Sequence, residues 1–164
     1  MSQLAAFAAE LKQEADSTRK MLAKVPFDQK DWKPHEKSMT LGKLATHVAE
    51  TGRWVAHALQ NDGIDFAQPL DRATPQSTEE LVAIFEKHYQ SGIAALETAS
   101  EAELGKNWVV RAGEKIYMEI PKAAAIRGWA LSHMIHHRGQ LSVYLRLLGI
   151  PVPGMYGPSA DGTM

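Results

Sequence analysis

His133 and His137 stand four residues apart in the segment WALSHMIHHRGQLSVYLRLLG, and His47 stands in an earlier one, LGKLATHVAE. Residues four apart on a helix lie on one face, so His133 and His137 can grip one metal ion. Such a pair needs a third ligand from another helix, and His47 is the best candidate. Three imidazoles leave coordination positions open, which marks a reactive site rather than a sealed structural one. The spacing also serves a plainer reading. With seven histidines in 164 residues, a pair at this spacing is a weak motif, and hydrogen-bonded core histidines would show it too.

The neighbours on each face add to the case. Each residue of an ideal helix turns about 100°. Trp129, His137, Gln140 and Tyr144 then fall near the face of His133. Thr51 and Trp54 share the face of His47, and Glu50 lies at its edge. Apolar walls with a few polar groups suit a small-molecule pocket, and Trp54, Trp129 and Gln140 are its candidate residues. Aromatic stripes at helical spacing also build cores, so both readings stand. Glu50 could hydrogen-bond a ligand imidazole, serve as a weak nominee for a general base, or be a solvated charge. His136 is rotated away from the pair, and His57 falls off the His47 face. His35 lies in a loop, and His88 has no partner at metal-pair spacing. These four read as surface or core residues. No serine or cysteine triad, P-loop or GxGxxG string is legible, and no catalytic residue can be named.

Four segments must position these groups. Leu4, Phe7, Leu11, Ala15, Thr18 and Leu22 form an amphipathic stripe that predicts a helix over 2–23. Thr40 is a plausible N-cap for a second helix over 41–60, ending at the Asn61-Asp62-Gly63 turn signal. Residues 61–76 read as a polar crossover. Ser77 with Glu80 makes a capping box, followed by Leu81, Ile84, Phe85, Gly92 and Leu96 at helical spacing. Residues 107–120 change character: Val109 and Val110 precede Ala112-Gly113, and Ile116, Tyr117 and Ile120 follow, as in a β-hairpin. A lone hairpin is marginal in water, so it must pack on the helices or a partner. Pro121 opens the fourth helix and Gly149 with Pro151 ends it, a span of about 28 residues or ~42 Å. The Gly- and Pro-rich tail reads as extended. The expected fold class is all-α: a four-helix bundle with a small β-hairpin between the third and fourth helices.

Composition narrows the function classes. The chain fits a single domain, 1–164, and is long enough to bury a core unaided. A formal net charge of -1 argues against a nucleic-acid footprint and a polybasic membrane patch. There is no cysteine, so no disulfide, thiolate nucleophile or cysteine-bound zinc is available. A thiol in the chemistry would have to come from outside. The N-terminal stretch lacks a basic start and does not read as a signal peptide. No apolar run approaches the ~18 residues of a membrane span. A cytoplasmic protein is expected.

DWKPHEKSMTLGKLATHVAE, IPKAAAIRGWALSHMIHHRGQLSVYLRLLG and IPVPGMYGPSAD together resemble the DinB/YfiT-like family over nearly the whole chain. The specific part is the H-x-x-x-HRGQ string with a lone earlier histidine. The resemblance implies a four-helix bundle with a divalent metal ion (nickel, zinc or iron) on His47, His133 and His137. It also implies a homodimer and, in some relatives, thiol-dependent transfer or isomerisation with small cellular thiols. The leading expectation is a metal-dependent thiol transferase or hydrolase acting on a small molecule. The alternatives are a non-catalytic metal- or small-ligand-binding protein and a structural bundle with inert histidines.

Overall fold

The computed structural model describes residues 1–162. Helix α1 (Gln3–Leu22) starts where the Ser2 hydroxyl accepts from Ala5 N. It buries the expected stripe, together with Ala8, Glu14 and Met21. The Thr40 hydroxyl caps α2 (Leu41–Glu50) by accepting from Lys43 N. Ser77 caps α4 (Thr78–Thr98) in the same way, through Glu80 N.

The expected second helix over 41–60 is two helices, α2 and α3 (Arg53–Gln60), parted at Thr51 and Gly52. The Thr51 hydroxyl donates to the Val48 carbonyl at 2.7 Å. The backbone bonds here run three residues back: Thr51 N to Val48 O, Trp54 N to Thr51 O and Val55 N to Gly52 O. The physical reason lies on α4. A Cβ at Gly92 would stand 3.3 Å from the Gly52 carbonyl and 3.2 Å from a Leu11 methyl. The chain turns where two glycines let the helices touch.

The hairpin is present as β2 (Asn107–Ala112) and β3 (Lys115–Pro121), but it does not stand alone. A strand within the supposed crossover, β1 (Gly63–Asp65), pairs parallel with β2, giving a mixed three-stranded sheet in the order β1-β2-β3. Sequence patterning missed β1 because three residues are too few to show a period. The parallel approach is close: a Cβ at Gly63 would meet the Val109 carbonyl at 2.2 Å. Trp108, Val110 and Ile64 carry the sheet into the common core. The fold is therefore mostly helical with a mixed sheet, and not purely helical.

The last helical run, residues 122–147, is not one uniform α-helix. It consists of α5 (Lys122–Ala125), a π-helical stretch (Ile126–Ser132) and α6 (His133–Leu147). Gly149, at φ +71°, ends the run. The tail then folds back. Asp161 accepts from Arg146 and Val152 N.

One buried charge cluster ties these parts together. Arg138, on α6, is 2% exposed and Glu14, on α1, is 5% exposed. Arg138 Nη2 lies 2.6 Å from Glu14 Oε2, and Nη1 donates to the Glu14 carbonyl and the Thr18 hydroxyl. The tail's Tyr156 hydroxyl donates to Glu14 at 2.8 Å and accepts from Arg138 at 2.6 Å. Removing one partner of such a pair strands the other in a low-dielectric interior. Arg138→Ala is expected to lower unfolding free energy by about 3–5 kcal/mol. Arg138→Met with Glu14→Leu should cost less than the two single changes added. Urea unfolding of the three variants checks both statements, and a cost under ~1 kcal/mol for Arg138→Ala would refute the first.

Candidate metal centre

Helix α6 presents His133 and His137 one turn apart, and α2 brings His47 against them. The ring centroids lie 4.8 Å (His47 to His133), 4.5 Å (His47 to His137) and 4.6 Å (His133 to His137) apart. The Nε2 atoms of His47 and His133 are 3.1 Å apart. One ring nitrogen from each residue falls within 4.8 Å of the others. All three rings are half-buried.

Two of the rings are held from behind. His133 Nδ1 sits 3.2 Å from the Trp129 carbonyl, and His137 Nδ1 sits 2.7 Å from Gln140 Oε1. A carbonyl can only accept, so His133 carries its proton on Nδ1 and turns the Nε2 lone pair toward His47. Gln140 does the same for His137 when its amide oxygen faces the ring.

Burial keeps these imidazoles neutral. It is the largest cause that holds His47 down at about 4, with His137, His133, Arg72 and Arg53 adding repulsion. Burial and then His137 lower His133, against the pull of the Trp129 carbonyl. Burial also lowers His137, while the Gln140 contact raises it. Neutral imidazole is the ligand form. Two nitrogens on one zinc at ~2.0–2.1 Å and a tetrahedral angle stand ~3.4 Å apart, close to the His47–His133 distance. Donor type, tautomer and spacing all fit a divalent ion.

The other candidate residues fall elsewhere. Trp54 is buried, with its ring 6.0 Å from that of Trp129. Trp129 also meets Trp108 at 5.5 Å and Phe66 at 6.1 Å. Its carbonyl, not its indole, is what touches a histidine. The 100° rule fails here because Ile126–Ser132 is π-helical. Gln140 is exposed and meets the site only through His137. Thr51 is buried in the helix break, and Tyr144 donates to the Met39 carbonyl. Glu50 touches no imidazole: its Oε1 accepts from Ala73 N at 2.8 Å and lies 3.4 Å from Arg53. His136 is exposed, and His35, His57 and His88 lie outside the cluster.

Sequence reasoning missed a large cleft beside His47. It has a volume of about 890 Å³, and its walls include Phe27, Lys30, Lys43, His47, Glu50 and Arg72. His47 is the cluster member on its wall. The cleft draws on loops around 27–31 and 72–76, whose composition carries no periodic signal. A smaller hollow of about 350 Å³ is formed by Gly128, Trp129, Ser132, His133 and His136.

A profile of the DinB family matches residues 1–162. The uncharacterized protein YrdA of Bacillus subtilis (strain 168) is 25% identical over 149 residues, covering 90% of this chain and 84% of YrdA. The crystal structure of a DinB-like protein from Bacillus cereus ATCC 10987 superposes with a TM-score of 0.73 at 24% identity, covering 95% of this chain and 100% of that one. A DinB-like protein of Bacillus subtilis, YjoA, superposes with a TM-score of 0.70 at 19% identity, covering 97% of this chain and 99% of that one. The chain belongs to the DinB family.

The depressed His47 has a consequence for stability. Its proton leaves near 6.5 in an unfolded chain and near 4 in the folded one. Between those values the unfolded state binds more protons, so acid favours unfolding. The metal-free protein is expected to lose stability as pH falls from about 6.5 to about 4, and His47→Gln should flatten that loss. Unfolding midpoints measured across this range in chelator decide the matter; identical slopes in the two proteins would contradict it.

Proposed function

We propose that this DinB-family chain is a metal-dependent enzyme in which His47, His133 and His137 hold one divalent ion: nickel, zinc or iron. The observation that carries the reading is the convergence of three neutral imidazoles, two with Nδ1 held from behind. When bound, such an ion lowers the pKa of a coordinated thiol or water and so supplies a nucleophile at neutral pH, for transfer or hydrolysis. The chain has no cysteine, so the thiol of the transferase version belongs to a low-molecular-weight cosubstrate.

The protein's own groups set the stage. The Trp129 carbonyl and Gln140 orient His133 and His137. Trp54 packs its ring edge-to-face on that of Trp129. Trp129 also lines the hollow beside His133, while Gln140 acts on the site through His137. A second reading is a non-catalytic metal- or small-ligand-binding protein. It is favoured by Glu50, which is turned to Ala73 and Arg53 and is not placed as a base beside the histidines.

Metal analysis of the purified protein tests the site. One ion per chain is expected in the wild type and in His136→Ala, with most of it lost in His47→Ala, His133→Ala and His137→Ala. Equal metal content in all five proteins would reject it. Small thiols should then perturb the spectrum of the cobalt-substituted protein and support turnover with electrophiles. Turnover with water alone selects hydrolysis, and no turnover selects the binding reading.

We further propose that 1–164 is one domain whose helical runs form a four-helix bundle, with α2 and α3 counting as one broken run. Among the described residues no helix is long and apolar enough to cross a membrane, which suits a cytoplasmic protein acting on small molecules without nucleic acid or membrane partners. The proposed assembly is a homodimer. Val143 and Leu147 on α6 and Ile116 and Tyr117 on β3 are 57–60% exposed, apolar surface that a second copy would cover. Light scattering at micromolar concentration should give about twice 18.1 kDa; a single species at the monomer mass would rule the dimer out.

A further inference from the structure

The cleft beside His47 carries charge that the metal centre does not use. Lys30, Lys43 and Arg72 stand on its walls against Asp31 and Glu50. Glu50 is partly neutralised by Arg53. Arg72 differs from every other arginine of the chain. Arg19, Arg53, Arg111, Arg127, Arg138 and Arg146 each have a carboxylate within ion-pair distance. Among the described residues Arg72 has none, and neither do Lys30 and Lys43.

The backbone on each side of Arg72 is held in place. On one side of it, the Asp71 carbonyl accepts from Arg53 Nη1 at 2.7 Å. On the other, Ala73 N donates to Glu50 Oε1 at 2.8 Å. Both anchors come from the ends of α2 and α3, so the loop is clamped on each side of the Arg72 guanidinium. Its charge is felt at His47, whose protonation it opposes. The same cleft has apolar wall from Phe27, Met39 and Pro75. A concave site with apolar walls and a few fixed polar groups is the usual form of a small-molecule pocket.

We propose that this cleft binds a small organic anion with an apolar body, its carboxylate or phosphate received by Arg72, with Lys30 and Lys43 adding charge at the rim. A guanidinium fork fits either headgroup through two parallel hydrogen bonds. The anion is the substrate class for the centre that includes His47, so its catalytic meaning rests on the function proposed above, while its binding does not.

The test uses two dyes on the full-length protein as purified. 8-Anilinonaphthalene-1-sulfonate carries an anion, and N-phenyl-1-naphthylamine has the same aromatic body without one. The sulfonate dye should bind at least ~10-fold tighter than the neutral dye, and Arg72→Ala should remove about that factor while leaving the neutral dye unchanged. Arg72→Lys should fall between. Benzoate or phenyl phosphate should displace the sulfonate dye where benzyl alcohol does not, and the better competitor names the headgroup. Equal affinity for the two dyes, or sulfonate binding indifferent to Arg72→Ala, would overturn the proposal. Metal content is measured on the same samples. Anion binding kept in a His47→Ala protein that has lost its metal upholds the cleft independently of the metal reading.

Discussion

Arg138 is a fixed charge inside the protein, and much of the architecture follows from satisfying it. A buried guanidinium has no neutral form to retreat to at physiological pH, so it must find acceptors. It finds them on α1, in the Glu14 carboxylate and carbonyl and the Thr18 hydroxyl, and on the tail, in Tyr156. These contacts fix the rotation of α6 about its own axis. Its neighbour in sequence, His137, is then turned about 100° away, toward α2. The interaction that closes the core on one side of the helix is thus the one that aims two imidazoles on the other.

Much of this was legible in the chain. The hydroxyl caps at Thr40 and Ser77, the stripe on α1 and the histidine spacing are local signals, and the structure keeps them. What was not legible has non-local causes. The break at Thr51 exists because Gly92, forty residues on, allows contact. β1 exists because β2 offers it an edge. Thr51 and Gly52 are in the segment, but the contact on α4, like the edge that β2 offers, is not. The Arg138 cluster did leave a trace that went unread. Glu14 sits three residues after Leu11 and four before Thr18, inside the buried face of α1. A carboxylate on an apolar stripe calls for a buried cation, and the arginine of the HRGQ string was available. The cleft is the opposite case: its walls come from loops whose positions are set by contacts such as Glu50 to Ala73.

The two halves of the candidate site are built on different physics. Around the imidazoles, partial burial and mutual repulsion favour neutrality, so the cluster gathers lone pairs without gathering charge. Along the cleft, Lys30, Lys43 and Arg72 stand among Asp31 and Glu50 without forming an ion pair with either. His47 belongs to both. An arriving anion meets positive potential first and neutral donors second, an order that suits capture before chemistry.

The π-helical stretch Ile126–Ser132 leads directly into His133. Wide turns of this kind accommodate residues that an α-helix of the same height would have no room for. The stretch therefore works as a slack joint between two fixed ends. Pro121 and Lys122 are tied to the sheet and the loop before it, and α6 is tied to α1 through Arg138. A residue lost from the middle could tighten the joint toward ordinary α-geometry without moving either anchor, whereas the same loss between His133 and Arg138 would swing the ligands off their target. A length change in this helical run is thus best borne before His133, where the backbone already carries a spare residue.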